Sequence, residues 1–381
     1  IKEGKLKESI SVPKPIDPEI NIELKNDVTE MTFRYCTECM VIGNNIDRNH
    51  LREDLMDFGD SLVIAGTKNK VKVHIHVNEP AKVFNICGNY GNISGQKSDD
   101  MFQQHKTAYS DHSEIAIVTD SGSDIPEELM DELDIHIVPV RYSFGDKGYI
   151  DKVSLTSDEF YQELKTNPKH PQTSQPTPGD FRRQYQFLTS HYKSIISIHI
   201  PRMLSGTLQS AETAFKRIKQ TNLKTIDAFS ISGGEGLIVA YAAEAAKQNY
   251  NHDEIIEMTQ KIIPKTKVYA AVYDLSYAVK GGRIPKYVKI ISDVLKITPI
   301  LSVDDEGKMK LGGAFFGKTK FADRMANTII KKINENKKYR IVVTHCNCIE
   351  RGEKLLDILN KKLRNLHSSY LIDCGTALGV H

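Results

Sequence analysis

The run Ile115–Asp124, IAIVTDSGSD, constrains this chain most. An apolar, β-branched stretch ends in a small, acidic, hydroxyl-rich turn, and Pro126 follows, a residue suited to the first turn of a helix. A strand that hands such a turn to a helix places it at the carboxyl edge of an α/β sheet, where ligands bind. Ser121 and Ser123 are the hydroxyls this turn brings to the edge.

The texture downstream supports that reading. Strands are expected at Ile115–Thr119, Ile135–Val140, Ser194–Ile200, Lys224–Ala228, Val268–Val272, Tyr339–Thr344 and Tyr370–Asp373. Helices start where caps stand: Thr156 with Glu159 and Asn251 with Glu254 form capping boxes. Strands separated by helices indicate an α/β fold with parallel sheets. The turn VDDEG, Val303–Gly307, adds a hairpin, and the helical stretch Gly236–Ile263 is expected to carry the crossover between two lobes.

Two later segments supply donors. Thr173-Ser174-Gln175 lies on a loop stiffened by Pro171, Pro176 and Pro178. Ser205-Gly206-Thr207 follows an apolar strand and opens the helix TLQSAETAFKRI, so hydroxyls and free N–H groups meet at a helix N-terminus suited to a carboxylate or phosphate. Plain N-capping by Ser205 is the alternative. His199 is accounted for by strand alternation, and no G-x-S-x-G elbow or local pattern ties a histidine to Ser205.

Ahead of this region, residues 1–28 are polar, punctuated by Pro13, Pro15 and Pro18, and read as a linker or irregular arm. From Met31 a β-like pattern begins, followed by a helix, LREDLMDFG, expected to close at Gly59. In the strand KVKVHIHVN, Val71, Val73, Ile75 and Val77 face one way, while Lys72, His74 and His76 face the other. Two imidazoles sharing a face can bridge one metal ion, with Cys36 or Cys39 completing a zinc site. A solvated polar face that carries histidines has the same pattern.

The chain has 381 residues, 40% hydrophobic and 26% charged, as in ordinary globular proteins of two or three domains. A net charge of +2 gives no field suited to nucleic acid, and membrane contact is expected to be transient at most. The first residues carry no apolar h-region and no initiator Met, so a fragment without a signal peptide is expected. The six cysteines are not spaced as a disulfide framework, which favours a reducing cytoplasm, and Cys346 and Cys348 read as strand-end packing.

Motifs in both halves resemble known families. YCTE, GDSLVIAG, VKVHIHVNEPAKV and YGNISGQKSDDM, within residues 29–112, resemble the middle domain of the fatty-acid kinase (dihydroxyacetone-kinase-like) family. The resemblance implies zinc on Cys36, His74 and His76, in a small α+β domain, with the ATP-binding domain outside this sequence. IAIVTDSGSDIP, TSQPTPGDF, LSGTLQSA, KGGRI and the terminal GTALGVH, within residues 113–381, resemble the DegV family of fatty-acid-binding proteins. That likeness implies a two-lobed domain that holds an acyl carboxylate at Thr173 and Ser205. Ser174, Gly206 and Thr207 stand nearby, His381 corresponds to a family histidine whose following GPG is missing, and Ser121 and Ser123 lie behind the site.

The expected function is therefore to bind a long-chain fatty acid and present its carboxylate to an ATP-binding kinase domain, in cis or in trans, with no catalysis by this chain alone. A zinc-dependent or serine hydrolase of a lipid or phosphate ester is one alternative. A non-catalytic assembly module with structural zinc is the other.

Overall fold

The computed structural model describes residues 31–380, apart from 219–221, 273, 283, 285, 318, 335 and 336. The arm expected over residues 1–28, Arg283 of the KGGRI motif and His381 lie outside the described residues.

The N-terminal part runs β1 (Tyr35–Ile42), α1 (Arg48–Leu55), β2 (Gly59–Thr67), β3 (Lys70–Val77), α2 (Pro80–Tyr90), β4 (Asn92–Asp100) and α3 (Met101–Tyr109). The strands form one antiparallel sheet in the order β2-β3-β1-β4. Period-2 alternation in β3 buries Val71, Val73, Ile75 and Val77 against Leu51, Leu55 and Phe84, and turns His74 and His76 to the opposite face. Helix α1 starts under the cap of Asp47, whose carboxylate accepts from the Asn49 and His50 N–H groups. It ends at Leu55 rather than at Gly59, which instead opens β2: a Cβ there would meet the His76 carbonyl oxygen at 1.9 Å.

The next part contains β5 (Ile115–Asp120), α4 (Glu127–Leu133), β6 (Ile135–Val138), β7 (Arg141–Phe144), β8 (Lys147–Ile150), α5 (Ser157–Thr166), β9 (Gln172–Ser174), α6 (Pro178–Leu188), β10 (Ser194–His199), α7 (Thr207–Phe215), β11 (Asn222–Asp227), α8 (Gly233–Lys247) and α9 (His252–Ile262). Strands β11-β10-β5-β6 form a parallel sheet, and β5 and β10 are buried along their whole length. Helices cover both faces, with one core around Ile117, Ile198 and Ile238 and another around Val118, Phe181 and Tyr185. The strand expected over Ile135–Val140 is divided. It ends at Val138, before Pro139, which has no N–H for the ladder, and β7 joins a separate antiparallel sheet in the order β8-β7-β9.

The last lobe holds β12 (Ala270–Ala271), α10 (Ser276–Lys280), α11 (Lys286–Leu295), β13 (Ile297–Val303), β14 (Met309–Phe316), α12 (Phe321–Ile330), β15 (Tyr339–His345), α13 (Ile349–Lys362), β16 (Leu366–Asp373) and α14 (Thr376–Gly379). The β13–β14 hairpin forms as its turn demands, whereas the strand expected over Val268–Val272 keeps only two residues. Among the described residues of this lobe, parallel pairing is confined to β15 and β16. Helix α8 joins the lobes: Gly233 packs on Val342, and Glu244 accepts from Arg340 at 2.6 Å. Two cysteines depart from the sequence reading, since Cys346 and Cys374 form a disulfide with Cα atoms 5.5 Å apart. The parallel register His345↔Asp373 places the two residues that follow side by side. No described helix is long and apolar enough to cross a membrane.

Candidate functional site

A cavity of about 1700 Å³ opens between the two lobes. The Thr173–Gln175 and Ser205–Thr207 segments, far apart in sequence, both line it. They touch each other, for a Cβ on Gly206 would meet the Gln175 amide nitrogen at 2.8 Å. Thr173 is held from behind by the β7 pairing Tyr142↔Thr173. At the start of α7, Ser205 Oγ lies 2.8 Å from Thr207 Oγ1 and accepts from the Thr207 N–H at 3.3 Å. Gly206 takes the N-cap position and has no side chain to cap the first turn. Two hydroxyl segments and a helix N-terminus thus face one space.

The rest of the lining is mainly apolar, including Leu204, Ile231, Leu237, Leu301 and Met325. Polar hydroxyls at one place on an apolar wall suit an amphiphile with a small anionic head.

Ser121 and Ser123 sit behind this wall and do not line it. Ser121 Oγ donates to Asp151 Oδ2 at 2.6 Å and accepts from the Val140 N–H, while Ser123 donates to the Asp120 carbonyl oxygen. Asp151 also accepts from Thr376 Oγ1 and the Ala377 N–H, both at 2.8 Å, and Asp124 accepts from the Gly375 N–H at 2.7 Å. The IAIVTDSGSD turn therefore holds the C-terminal segment, whose residues Ala377, Leu378 and Gly379 line the cavity. Burial raises the Asp151 carboxyl against the pull of Lys152. Burial likewise opposes charge on Lys152, but Asp124 and Asp151 outweigh it and hold the lysine above its ordinary pKa.

A buried relay escaped the sequence reading. Asp120 Oδ2 lies 3.0 Å from His199 Nδ1, His199 Nε2 lies 2.7 Å from Ser197 Oγ, and Ser197 Oγ lies 2.7 Å from the Tyr185 hydroxyl. Strand alternation does not account for His199, because β10 is buried on both faces. The order Asp-His-Ser is that of a hydrolytic triad. Yet Ser197 is fully enclosed and absent from the cavity wall, so it meets no substrate there. Next to this relay, burial and then the charges of Asp120 and Asp124 push Glu235 well above the ordinary carboxyl range.

On the N-terminal sheet, the register pairs Cys36 with His76 and Glu38 with His74. Ligand atoms of Cys36, His74 and His76 lie within 4.8 Å of one another. His74 Nδ1 is 3.0 Å from Glu38 Oε1, and His76 Nδ1 is 3.1 Å from Asp60 Oδ1. His74 Nδ1 also lies 3.8 Å from Cys36 Sγ, so the carboxylate and the thiol meet the same ring nitrogen. Cys39 is buried in the core on the other face, so it stands apart from this cluster.

Comparison with known proteins accords with both halves. Residues 32–108 match the family described as the middle domain of fatty acid kinase-like proteins. Residues 114–381 match that described as uncharacterised protein, DegV family. A DegV domain-containing protein of Clostridium acetobutylicum is 32% identical over 270 residues, 70% of this chain and 94% of that protein. One from Halalkalibacterium halodurans is 30% identical over 270 residues, 71% of this chain and 95% of the relative. Among solved structures, DegV of Bacillus subtilis, described as a fatty acid binding protein, aligns with TM-score 0.62 and 28% identity, covering 71% of this chain and 95% of that one. A fatty acid binding DegV family protein from Streptococcus agalactiae gives 0.63 and 25%, over 70% and 94%. The chain belongs to the DegV family and carries a fatty acid kinase-like middle domain ahead of its DegV domain.

Proposed function

We propose that this chain binds a long-chain fatty acid between its lobes and presents the carboxylate for phosphorylation by a kinase domain. The observation that carries the reading is the meeting of Thr173 and Ser205 on one largely apolar cavity wall. Burying the tail contributes about 0.8 kcal/mol per CH₂, and hydrogen bonds to the charged head add affinity and fix its placement. Neutral hydroxyls of Thr173 and Ser205, helped by Ser174, Thr207 and the Gly206 N–H, would hold the carboxylate without the full charge of an arginine pair. One oxygen keeps its nucleophilic character for attack on the γ-phosphoryl group of ATP, displacing ADP and forming an acyl phosphate. The two relatives described as fatty acid binding support this assignment. The kinase domain would act in cis or in trans in the cytoplasm, where ATP is supplied. On this reading the linker covers residues 1–28, the kinase middle domain 29–112 and the lipid-binding domain 113–381.

The N-terminal cluster favours a second assignment, zinc on Cys36, His74 and His76. A thiolate and two imidazoles are a donor set zinc accepts. When bound, zinc would supply cross-linking of β1 to β3.

Titration with a long-chain fatty acid and with its methyl ester tests the head-group assignment. Binding of the acid well above the ester, with acyl phosphate trapped as hydroxamate once a kinase domain and ATP are added, is the expected outcome. Equal binding of acid and ester would sink it.

A further inference from the structure

We propose that Cys346 and Cys374 form a reversible redox site that latches the cavity wall, an inference whose ligand consequence rests on the fatty-acid reading above. The disulfide joins the loop after β15 to the residue after β16, 28 residues apart. Its two ends differ in access: Cys374 is 2% exposed, whereas Cys346 lies open to solvent and also lines the cavity. A solvent-borne thiol can therefore reach one sulfur of the pair without unfolding the other.

What the bond holds is the wall itself. Immediately beyond Cys374, the Gly375 N–H donates to Asp124, and Thr376 and the Ala377 N–H donate to Asp151. The residues that follow line the cavity, and Gly379 sits against Phe160 and Tyr161. With the disulfide intact, this segment is tied on one side to the IAIVTDSGSD turn and on the other to the β15 loop. Without it, the second tie is the Cys374 N–H to His345 carbonyl hydrogen bond at 2.9 Å. Reduction by a dithiol is a two-electron step. It breaks the Cys346 Sγ–Cys374 Sγ bond, delivers two electrons and two protons to leave two thiols, and converts the reductant to its own disulfide. Cys348 lines the same cavity as a free thiol.

The test uses the full chain equilibrated in glutathione redox buffers. Differential alkylation should show Cys346 and Cys374 protected together at the oxidising end and labelled together at the reducing end. Hydrogen exchange over residues 374–380 should then speed up several-fold on reduction, and so should release of a fluorescent long-chain fatty acid. Cys346→Ser, at an exposed position, should exchange like reduced protein in every buffer, whereas Cys87→Ala, in the N-terminal core, should keep the response. Independent labelling of the two cysteines, or exchange over 374–380 that ignores redox state, overturns the latch. If the fluorescent acid binds in neither state while exchange still responds, the latch stands and the fatty-acid reading falls.

Discussion

Thr173 and Ser205 each bring one hydroxyl to the cavity, so each alanine variant removes one donor to the proposed carboxylate. Hydrogen bonds to a charged group are worth about 1.5–3 kcal/mol, so Thr173→Ala and Ser205→Ala should each weaken fatty-acid binding about ten- to hundredfold, read by calorimetry. His136 carries a pH signature. It is 2% exposed, lies 3.2 Å from the Tyr192 hydroxyl, and burial depresses its pKa from 6.5 to about 4 despite the nearby Asp134. The unfolded chain takes up this proton below about pH 6.5 and the folded chain only near pH 4, so stability is fully present above 6.5 and falls as the pH drops through that window. The loss should reach about 3 kcal/mol, and His136→Phe should flatten that part of the urea-midpoint profile between pH 7 and pH 4. Single residues were legible where chemistry is local: hydroxyls beside glycine at a helix start stand out in sequence. The Asp120–His199 pair and the Cys346–Cys374 bond were not. Each depends on which parallel strands become neighbours, and crossover connections leave no short-range sign of that.

Helix α8 shows how an element can invert a residue preference. Alanine in place of a helical glycine ordinarily stabilises by about 1 kcal/mol. At Gly236, however, a Cβ would meet the Ser123 carbonyl oxygen at 2.4 Å and Ile125 at 3.0 Å. Those atoms belong to the turn that holds the C-terminal segment, so they cannot retreat cheaply. Gly236→Ala should therefore destabilise by about 1–3 kcal/mol, visible as a lower urea midpoint, and should also loosen exchange at 121–124. Strands β5, β10 and β15 were legible because apolar, β-branched runs bounded by turns have few other folds open to them. The shortening of Val268–Val272 and the break at Pro139 were not, since the partner strands decide how far a ladder runs. Capping boxes at Thr156 and Asn251 formed as written, because both partners lie within one turn.

Across the whole molecule, the kinase-type middle domain is docked on the DegV domain through Arg34, whose guanidinium meets Asp100 at 2.7 Å, Glu127 at 2.7 Å and Asp131 at 2.9 Å. Gln96 adds a bond to the Gly148 carbonyl at 2.8 Å. Zinc at Cys36, His74 and His76 would tie together only the N-terminal sheet. Chelation is therefore expected to release about one zinc per chain and to lower the first unfolding transition, leaving the second in place; Cys36→Ser protein should already show the lower value. Docking keeps the two domains together while each retains its own core. Whether the space between the lobes holds an acyl chain by its carboxylate is decided by native mass spectrometry of the purified full chain. One fatty acid per chain is expected, lost from the Thr173→Ala, Ser205→Ala double variant. Protein that carries no acyl chain and takes up none when long-chain fatty acid is added would contradict it.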